Sequence, residues 1–488
     1  MAKSSISEIL IDNPNLGGIA DSPYLGVSNS LAVIVGFDLH SLPGIILVNQ
    51  KLTAEGGGAP TDDYYKIVAC SDGSIYLWGK VTGKVYKNTS GTYSLLGTVS
   101  PSSGSAGILD AVEYNGKFYY AMQSRLGQWD FTAGFGSRND NFGTFTNGNS
   151  SFHPIIFIPN QQFIYIGDGN VLAQVDNNNV FTANALSTIA KQLTVTCLGR
   201  QGSDILIGSS ILNLVGQSFV LRWNGWSPIP TTSYPVSEAG INAFLPSEDE
   251  VVINAGVSGN LYHLNGAVFE ITKQIPPIFP NTYSPTATGI INYPAVANKQ
   301  GIPIFGFSNQ LGNPALQGIY SWGRRNEGYP KILTLEVPVS TGNLANINVW
   351  SIAVQGNNIY VSSFDSGSNT YQIDKLDWSN KFSGAYFETK IMTQSKVWLD
   401  EFGRFIANIS GTLPANCQIN LFYKINGGNY VAWTYGTEIV FDSDRNQFVI
   451  DKRISARTLQ IKVQVITSGN NAPLLEEAVF MPGEKTNG

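Results

Sequence analysis

The stretch Tyr114-Asn115-Gly116-Lys117-Phe118-Tyr119-Tyr120, YNGKFYY, decides how this chain is read. Asn-Gly offers two successive residues that tolerate positive φ, and here it parts the apolar run Ile108 to Tyr114 from an aromatic one. That combination predicts a two-residue β-hairpin. One hairpin says little about a fold. A repeated one says a great deal.

The phrase repeats. An apolar strand, a polar turn, a second apolar strand, a Gly- or Ser-rich gap and a third strand recur from Tyr65, Leu109, Phe152, Leu193, Gly240, Tyr293 and Val349. A fourth apolar segment often follows, as in YSLLGTV from Tyr93, NVFTANAL from Asn179, WSPIPTT from Trp226, AVFEITKQI from Ala267, KILTLEVPV from Lys331 and AYFETKIM from Ala385. Copies start roughly 41 to 56 residues apart, and four strands in such a period are the signature of a propeller blade. A string of separate β-sandwiches would also give frequent turns, but not a constant strand order without linkers. The expected fold is all-β: an about seven-bladed β-propeller of four-stranded blades, followed by a small C-terminal β-sandwich.

Composition agrees. Charged residues make up 13% of the 488, against about 25% in ordinary soluble domains. Hydrophobic residues reach 43%, with 25 Phe, 22 Tyr and 9 Trp, so there is material for an extensive core. The net charge of −6 and the lack of any basic cluster longer than Arg324-Arg325 argue against nucleic-acid binding. Cys70, Cys197 and Cys417 lie far apart beside apolar runs and read as small buried hydrophobes, not a zinc site or a disulfide framework. MAKSSISEIL lacks the apolar stretch of a secretory signal, and no run approaches the ~18 apolar residues of a membrane span. The expectation is synthesis in a cytoplasm, with no signal peptide and no membrane span.

Residues 1–30 read as an N-terminal arm, 31–391 as the propeller, and 392–488 as the sandwich or jelly-roll-like domain. Within 31–52, the runs Leu31–Phe37 and Ile45–Leu52 are candidates to close the ring by pairing with the last blade. After Met392 the blade phrase stops, although LQIKVQV still alternates with period two and predicts a half-buried strand.

Chemistry is thin. His40, His153 and His263 stand in different parts of the chain, and no HExxH, GxSxG, GxGxxG or P-loop pattern occurs. Asp110, Glu113, Asp168, Glu238, Asp365 and Asp374 are nominal candidates for a carboxylate pair, but 35 acids in an all-β chain offer such candidates by default. CSDGSIYLW, Cys70 to Trp78, is similar to a sialidase box but is one residue short after the Asp and is not repeated, so Asp72-Gly73 reads as a hairpin turn. The loops Asp176–Asn179 and Asp365–Thr370 lack full calcium-ligand spacing and read as turns. Trp78, Trp129, Trp223 and Trp322 fall at related strand positions and read as blade packing. Tyr423, Tyr430, Trp433 and Tyr435 are the candidate partner or glycan face, since Tyr and Trp favour interfaces, with core packing as the competing role. No catalytic residue, cofactor or metal ligand is nominated.

In style the chain resembles bacteriophage virion proteins of tails and appendages built on a β-propeller. The resemblance rests on GGIADSPYLG from Gly17, DLHSLPGIILVNQKL from Asp38, AVEYNGKFYYAM, SSFDSGSNTYQIDKLDW from Ser362 and RTLQIKVQVITSGNNAPLLEEAVF from Arg457. It implies a non-enzymatic structural protein of the virion, a tail or tail-tip component that forms a homo-oligomer. Such a protein binds other virion proteins and mediates assembly or host attachment, through a host glycan or receptor. The alternative is a glycan-binding or glycan-cleaving propeller, a lectin or a sialidase-like glycosidase. Fold alone does not choose between them.

Overall fold

The computed structural model describes residues 9–11, 17–20, 30–42, 44–148, 151–211, 217–247, 250–275, 288–310, 317–324, 327–340, 347–393, 400–434 and 437–482. Among these the chain is all-β, relieved only by the 3-10 turn Phe135–Ser137. No helix among them is long and apolar enough to cross a membrane. The chain divides into two compact units: Thr53–Ile319 with Val339–Lys375, and Met1–Leu52 with Tyr320–Pro338 and Leu376–Gly488.

The first unit is a succession of antiparallel sheets laid down in chain order. The opening hairpin is present as read: Tyr114 pairs with Lys117, and Asn115 and Gly116 take φ of 50° and 74°. It belongs to the second four-stranded sheet, Ile108–Tyr114, Lys117–Met122, Arg125–Asp130 and Asn139–Thr144. The first sheet runs from Tyr65–Ala69 to Thr92–Thr98, the third from Ile155–Ile158 to Phe181–Leu186, the fourth from Thr194–Gln201 to Thr232–Val236, and the fifth from Ile241–Leu245 to Val268–Gln274. Farther on, Thr288–Ile290 and Val296–Lys299 both pair with Ile302–Gln310. In the last sheet, Ile347–Gln355, Asn358–Asp365 and Thr370–Lys381 are completed by Gln50–Ala54.

These sheets bury both faces, which is what a propeller requires. Along Lys117–Met122 the side chains alternate between two cores. Phe118, Tyr120 and Met122 pack with Tyr76 and Trp78 of the first sheet, whereas Tyr119 and Ala121 pack with Ile164 and Ile166 of the third. The Trp78 and Tyr120 rings stack at 5.0 Å. The third sheet meets the fourth through Tyr165, Ile205 and Trp223, and the fourth meets the fifth through Cys197, Phe244 and Tyr262. Ala353, Tyr360 and Ile373 of the last sheet pack on Tyr65, Ile67 and Leu77 of the first, which closes the series. Each large side chain buried this way is worth about 1.5–3 kcal/mol.

Polar joints fix the same order. A first strand pressed against the preceding sheet has backbone N–H groups that cannot reach water and need acceptors. The Ile155 N–H donates to Asp110 (2.9 Å), Ile241 to Ser210 Oγ (3.1 Å), Ile291 to Asn254 Oδ1 (2.9 Å) and Val349 to Ser308 Oγ (2.9 Å). The Tyr65 and Ile67 N–H groups donate to Ser362 Oγ and Ser351 Oγ. Small residues in second strands permit this approach. A methyl group at Gly167, Gly208 or Gly306 would stand 2.7, 2.9 or 2.1 Å from Val195, Ile241 or Val349 of the next sheet.

The fourth segments and the closure depart from expectation in places. WSPIPTT is not the outer strand of the fourth sheet; Thr232–Val236 is, because the Asn224 side chain folds Trp226 and Ser227 into a turn. KILTLEVPV and AYFETKIM do form strands, Ile332–Pro338 and Ala385–Glu388, but both flank Val33–Val35 in the second unit. The run Leu31–Phe37 is thereby committed there and does not close the ring. Closure falls to Gln50–Ala54 and the residue after it, whose N–H (Glu55) donates to the Ile373 carbonyl at 2.8 Å.

Among its described residues the second unit holds two larger sheets and the two-stranded pair Phe37–Asp38 with Leu47–Val48. One runs in the order Ile9–Ile11, Leu474–Pro482, Asp400–Ser410, Gln447–Ala456, Ile439–Asp442. In the other, Ile332–Pro338, Val33–Val35, Ala385–Glu388, Thr458–Ile466, Gln418–Ile425 and Val431–Ala432 lie side by side. The alternation of LQIKVQV appears as Leu459, Ile461, Val463 and Val465, all fully buried. Most of the expected N-terminal arm, 1–30, lies outside the described residues; of the rest, Ile9–Ile11 pairs antiparallel with Leu474–Pro482.

Candidate functional site

The starts of successive sheets in the first unit converge on a cavity of about 910 Å³, within the range of small-molecule sites. Its wall includes Lys80, Gln123, Asn242, Asn292, Tyr293 and Trp350, drawn from well-separated copies of the repeat. Among the described lining residues there is one cation and no carboxylate or histidine.

Each of these side chains is placed by its own joint. The Tyr293 hydroxyl donates to the Leu109 carbonyl at 2.7 Å, and its ring meets Trp350 edge-on at 6.2 Å. Burial pushes that phenol well above its ordinary pKa of 10. Lys80 Nζ lies 3.5 Å over the Trp350 ring and 5.4 Å from that of Tyr64. Burial lowers its pKa, and the negative charge of Asp63 works in the opposite direction. Asp63 itself is held by the Val81 and Thr82 N–H groups at 2.9 and 2.7 Å and by the Thr82 hydroxyl. Lys80 thus neutralises no carboxylate directly. Asn292 Nδ2 donates to Asn348 Oδ1 (2.8 Å) and the Val349 carbonyl (2.7 Å), and Asn242 Nδ2 to the Gly256 carbonyl (2.6 Å). Both amides keep an oxygen for another donor. The Gln123 Oε1 accepts from the Ser105 N–H, which leaves its NH₂ as a donor.

The acids singled out in the sequence are not gathered. Asp110 pairs with Lys66 at 2.9 Å while accepting from Ile155 and Ala111 N–H groups. Glu113 accepts from Ser71, and Glu238 from the Tyr262 hydroxyl at 2.6 Å. Asp365 accepts from the Gly367 N–H and Ser368 Oγ, and Asp374 from Ser340 N–H and Oγ. Asp168 accepts from the Asn147 N–H, and burial pushes its carboxyl up. No two of the six share a donor. In the loop from Asp176 the carboxylate caps the N–H groups of Asn178 and Val180, as a turn does. No three His, Cys, Asp or Glu side chains converge on one point among the described residues.

Histidines and thiols are dispersed too. His153 is fully buried, stacked on Phe145 at 4.3 Å, with Nδ1 2.7 Å from the Gly167 carbonyl and Nε2 3.0 Å from that of Gln123. Burial lowers its pKa against the opposing effect of the two carbonyls and Asp168. His40 Nε2 sits 3.0 Å from Ser321 Oγ, and His263 lies opposite Val252 within the fifth sheet. Cys70, Cys197 and Cys417 are free and buried, and burial pushes the Cys70 thiol up to about 12. Trp78, Trp129, Trp223 and Trp322 are all buried; Trp129 and Trp223 each donate Nε1–H to a carbonyl four residues on.

Of the aromatic set in the second unit, Tyr423 and Trp433 are in ring contact at 4.8 Å, and Trp433 is only 5% exposed. Tyr430 lies beneath Lys424 and Lys462, 5.6 and 5.8 Å away, and burial with Glu388 alongside pushes its phenol up. Tyr435 lies outside the described residues. Sequence reading passed over the cavity residues. Their signal was positional: Asn242 stands two residues into the copy from Gly240 and Asn292 immediately before the one from Tyr293, each an amide beside an apolar run.

No family model matches the chain, and no curated protein matches it. Among solved structures, the chain is similar to the WD40 domain of Pan2 from Neurospora crassa, at 11% identity over 69% of this chain and 97% of that one, with a TM-score of 0.44. It is also similar to the β-propeller domain of Cps50 (Swd1) from Myceliophteria thermophila, at 10% identity over 66% and 98%, TM-score 0.40. A third is the extracellular domain of a hybrid two component system from B. thetaiotaomicron, at 11% identity and TM-score 0.46; the match covers 82% of this chain but about half, 52%, of that one. At such scores and identities the likeness carries no information on function.

Proposed function

We propose that the chain is a non-enzymatic structural protein of a phage virion, a tail or appendage component with a seven-bladed propeller and a C-terminal sandwich. One observation supports the non-enzymatic part most: the carboxylates singled out in the sequence, and His153, are engaged separately, in turns and joints between sheets, and do not converge. A rigid closed ring then serves as a platform, and the sandwich as an assembly or attachment module working in a homo-oligomer. The test is negative-stain imaging of purified protein and of lysate particles labelled with an antibody to the chain. Rings or a defined oligomer, with label on tails or appendages, are expected. Label absent from particles would end the virion reading.

The cavity favours a second reading, a glycan-binding propeller. Amide and hydroxyl groups beside aromatic faces suit a saccharide, and a lining without carboxylates suits binding rather than cleavage. Turnover of labelled oligosaccharides that vanishes in Asp168→Asn would overturn the non-enzymatic reading altogether.

A further inference from the structure

We infer that the cavity of the first unit takes an acidic saccharide, a sugar ring bearing a carboxylate, with Lys80 as the group that holds the acid. The inference rests on the second, ligand-binding reading above.

The argument starts from charge. Lys80 is the single cation of the described lining and no carboxylate lines the cavity with it, so any ligand charge that it recognises is negative. The nearest acid, Asp63, is occupied by three donors of its own turn. The remaining contact of the ammonium is with π-faces, Trp350 at 3.5 Å and Tyr64 at 5.4 Å. Such contacts orient a cation but leave its N–H donors available for a stronger acceptor, and a charge-assisted hydrogen bond to a carboxylate exceeds a cation–π contact in strength.

The rest of the wall matches the rest of a sugar. Tyr293 and Trp350 line the cavity with their rings in edge-on contact, 71° apart, and aromatic lining suits the C–H face of a pyranose. Asn242 and Asn292 have amide nitrogens anchored to the framework, so their oxygens are preset as acceptors for hydroxyls. Gln123 is anchored the other way round, by its oxygen, and offers a donor. Donors, acceptors and flat apolar faces on fixed supports, with one cation, describe a uronic acid better than a purely apolar ligand or a bare anion. Lys80 is itself fixed in place: a methyl group at Gly107 would meet the Lys80 carbonyl at 2.1 Å.

Saturation-transfer NMR titrations of the full chain with D-glucuronate, D-glucose and glutarate test this. Glucuronate is expected to bind at least about tenfold more tightly than glucose or glutarate, and Lys80→Met to weaken it about tenfold. Gln123→Glu keeps an oxygen for Ser105 but exchanges the NH₂ donor for a negative charge, so it should weaken glucuronate by a larger factor than glucose. Thermal melts of both variants establish that the fold persists, and either variant alone suffices if the other fails to fold. Equal affinity for glucose and glucuronate would overturn the acidic part and leave the glycan reading standing. Equal affinity for glutarate and glucuronate would reduce the site to an anion hole and overturn the saccharide. Failure of every sugar to bind would remove both readings.

Discussion

The second and fourth strands of the sheets in the first unit live in different surroundings. Ile75–Gly79 is buried at every residue, and Asp204–Ser210 at all but its first. Thr92–Thr98 and Val268–Gln274 in contrast expose much of their length, with Leu95 at 51% and Ile271 at 58%. A second strand is covered on both faces by neighbouring sheets, so neither face can be polar unless a joint uses the polar group. A fourth strand is covered only partly and tolerates almost anything that forms a strand. The lesson is that specificity in this repeat is concentrated in the inner strands and thins outward.

That contrast can be broken most severely at Asp110. Asp110→Ala strips the Ile155 N–H of its acceptor and leaves Lys66 without its anion, which should cost about 3–5 kcal/mol in urea unfolding. Gly306→Val comes next. Overpacking against Val349 should cost about 3 kcal/mol, read as a lower unfolding midpoint, while Gly→Val at exposed Gly134 does much less. Ser210→Ala leaves the Ile241 N–H unsatisfied and should cost about 1–2 kcal/mol. At the outer edge, Ile271→Thr should stay within about 0.5 kcal/mol of the parent. An equal cost at Ile271 and Ser210 would dissolve the distinction between inner and outer strands.

The smallest effect concerns pH. Burial is the largest single influence on Asp72 and raises its pKa, but hydrogen bonds from Lys87, the Ser74 N–H, Cys70 and Tyr76 together outweigh it and hold the carboxyl at about 2. A carboxyl depressed in the folded state stabilises above its unfolded pKa of about 3.9 and loses that contribution as pH falls toward 2. Asp72→Asn should therefore flatten the stability curve between about pH 4 and 2, measured by thermal melts, and leave its slope at neutral pH unchanged.

How much the sequence disclosed follows the same gradient. The inner strands were legible because burial on both faces writes continuous apolar runs, as in KFYYAM and DILIGSS, and Asn115-Gly116 marked the turn between two of them. Outer strands were harder: WSPIPTT is as apolar as TSYPV, and only the Asn224 side chain, by bending Trp226 and Ser227, decides which becomes the strand. Closure was half legible: of the two nominated runs, Ile45–Leu52 overlaps the closing strand Gln50–Ala54, whereas Leu31–Phe37 pairs elsewhere, because pairing partners hundreds of residues away leave no local mark. The cavity escaped for a related reason. Lys80, Asn242 and Trp350 meet only after the sheets are stacked, and nothing in their immediate neighbours announces it.

The bond from Glu55 to Ile373 joins residues roughly 320 positions apart, and a ribosome adding 5–20 residues per second needs roughly 15–60 s to cover that gap. Through that interval the nascent first sheet has the flank meant for Ala353 and Tyr360 still uncovered. Zipping at the end also carries the high contact order that slows folding. That waiting flank is apolar surface of the kind that makes a nascent chain prone to aggregation until its last strand arrives.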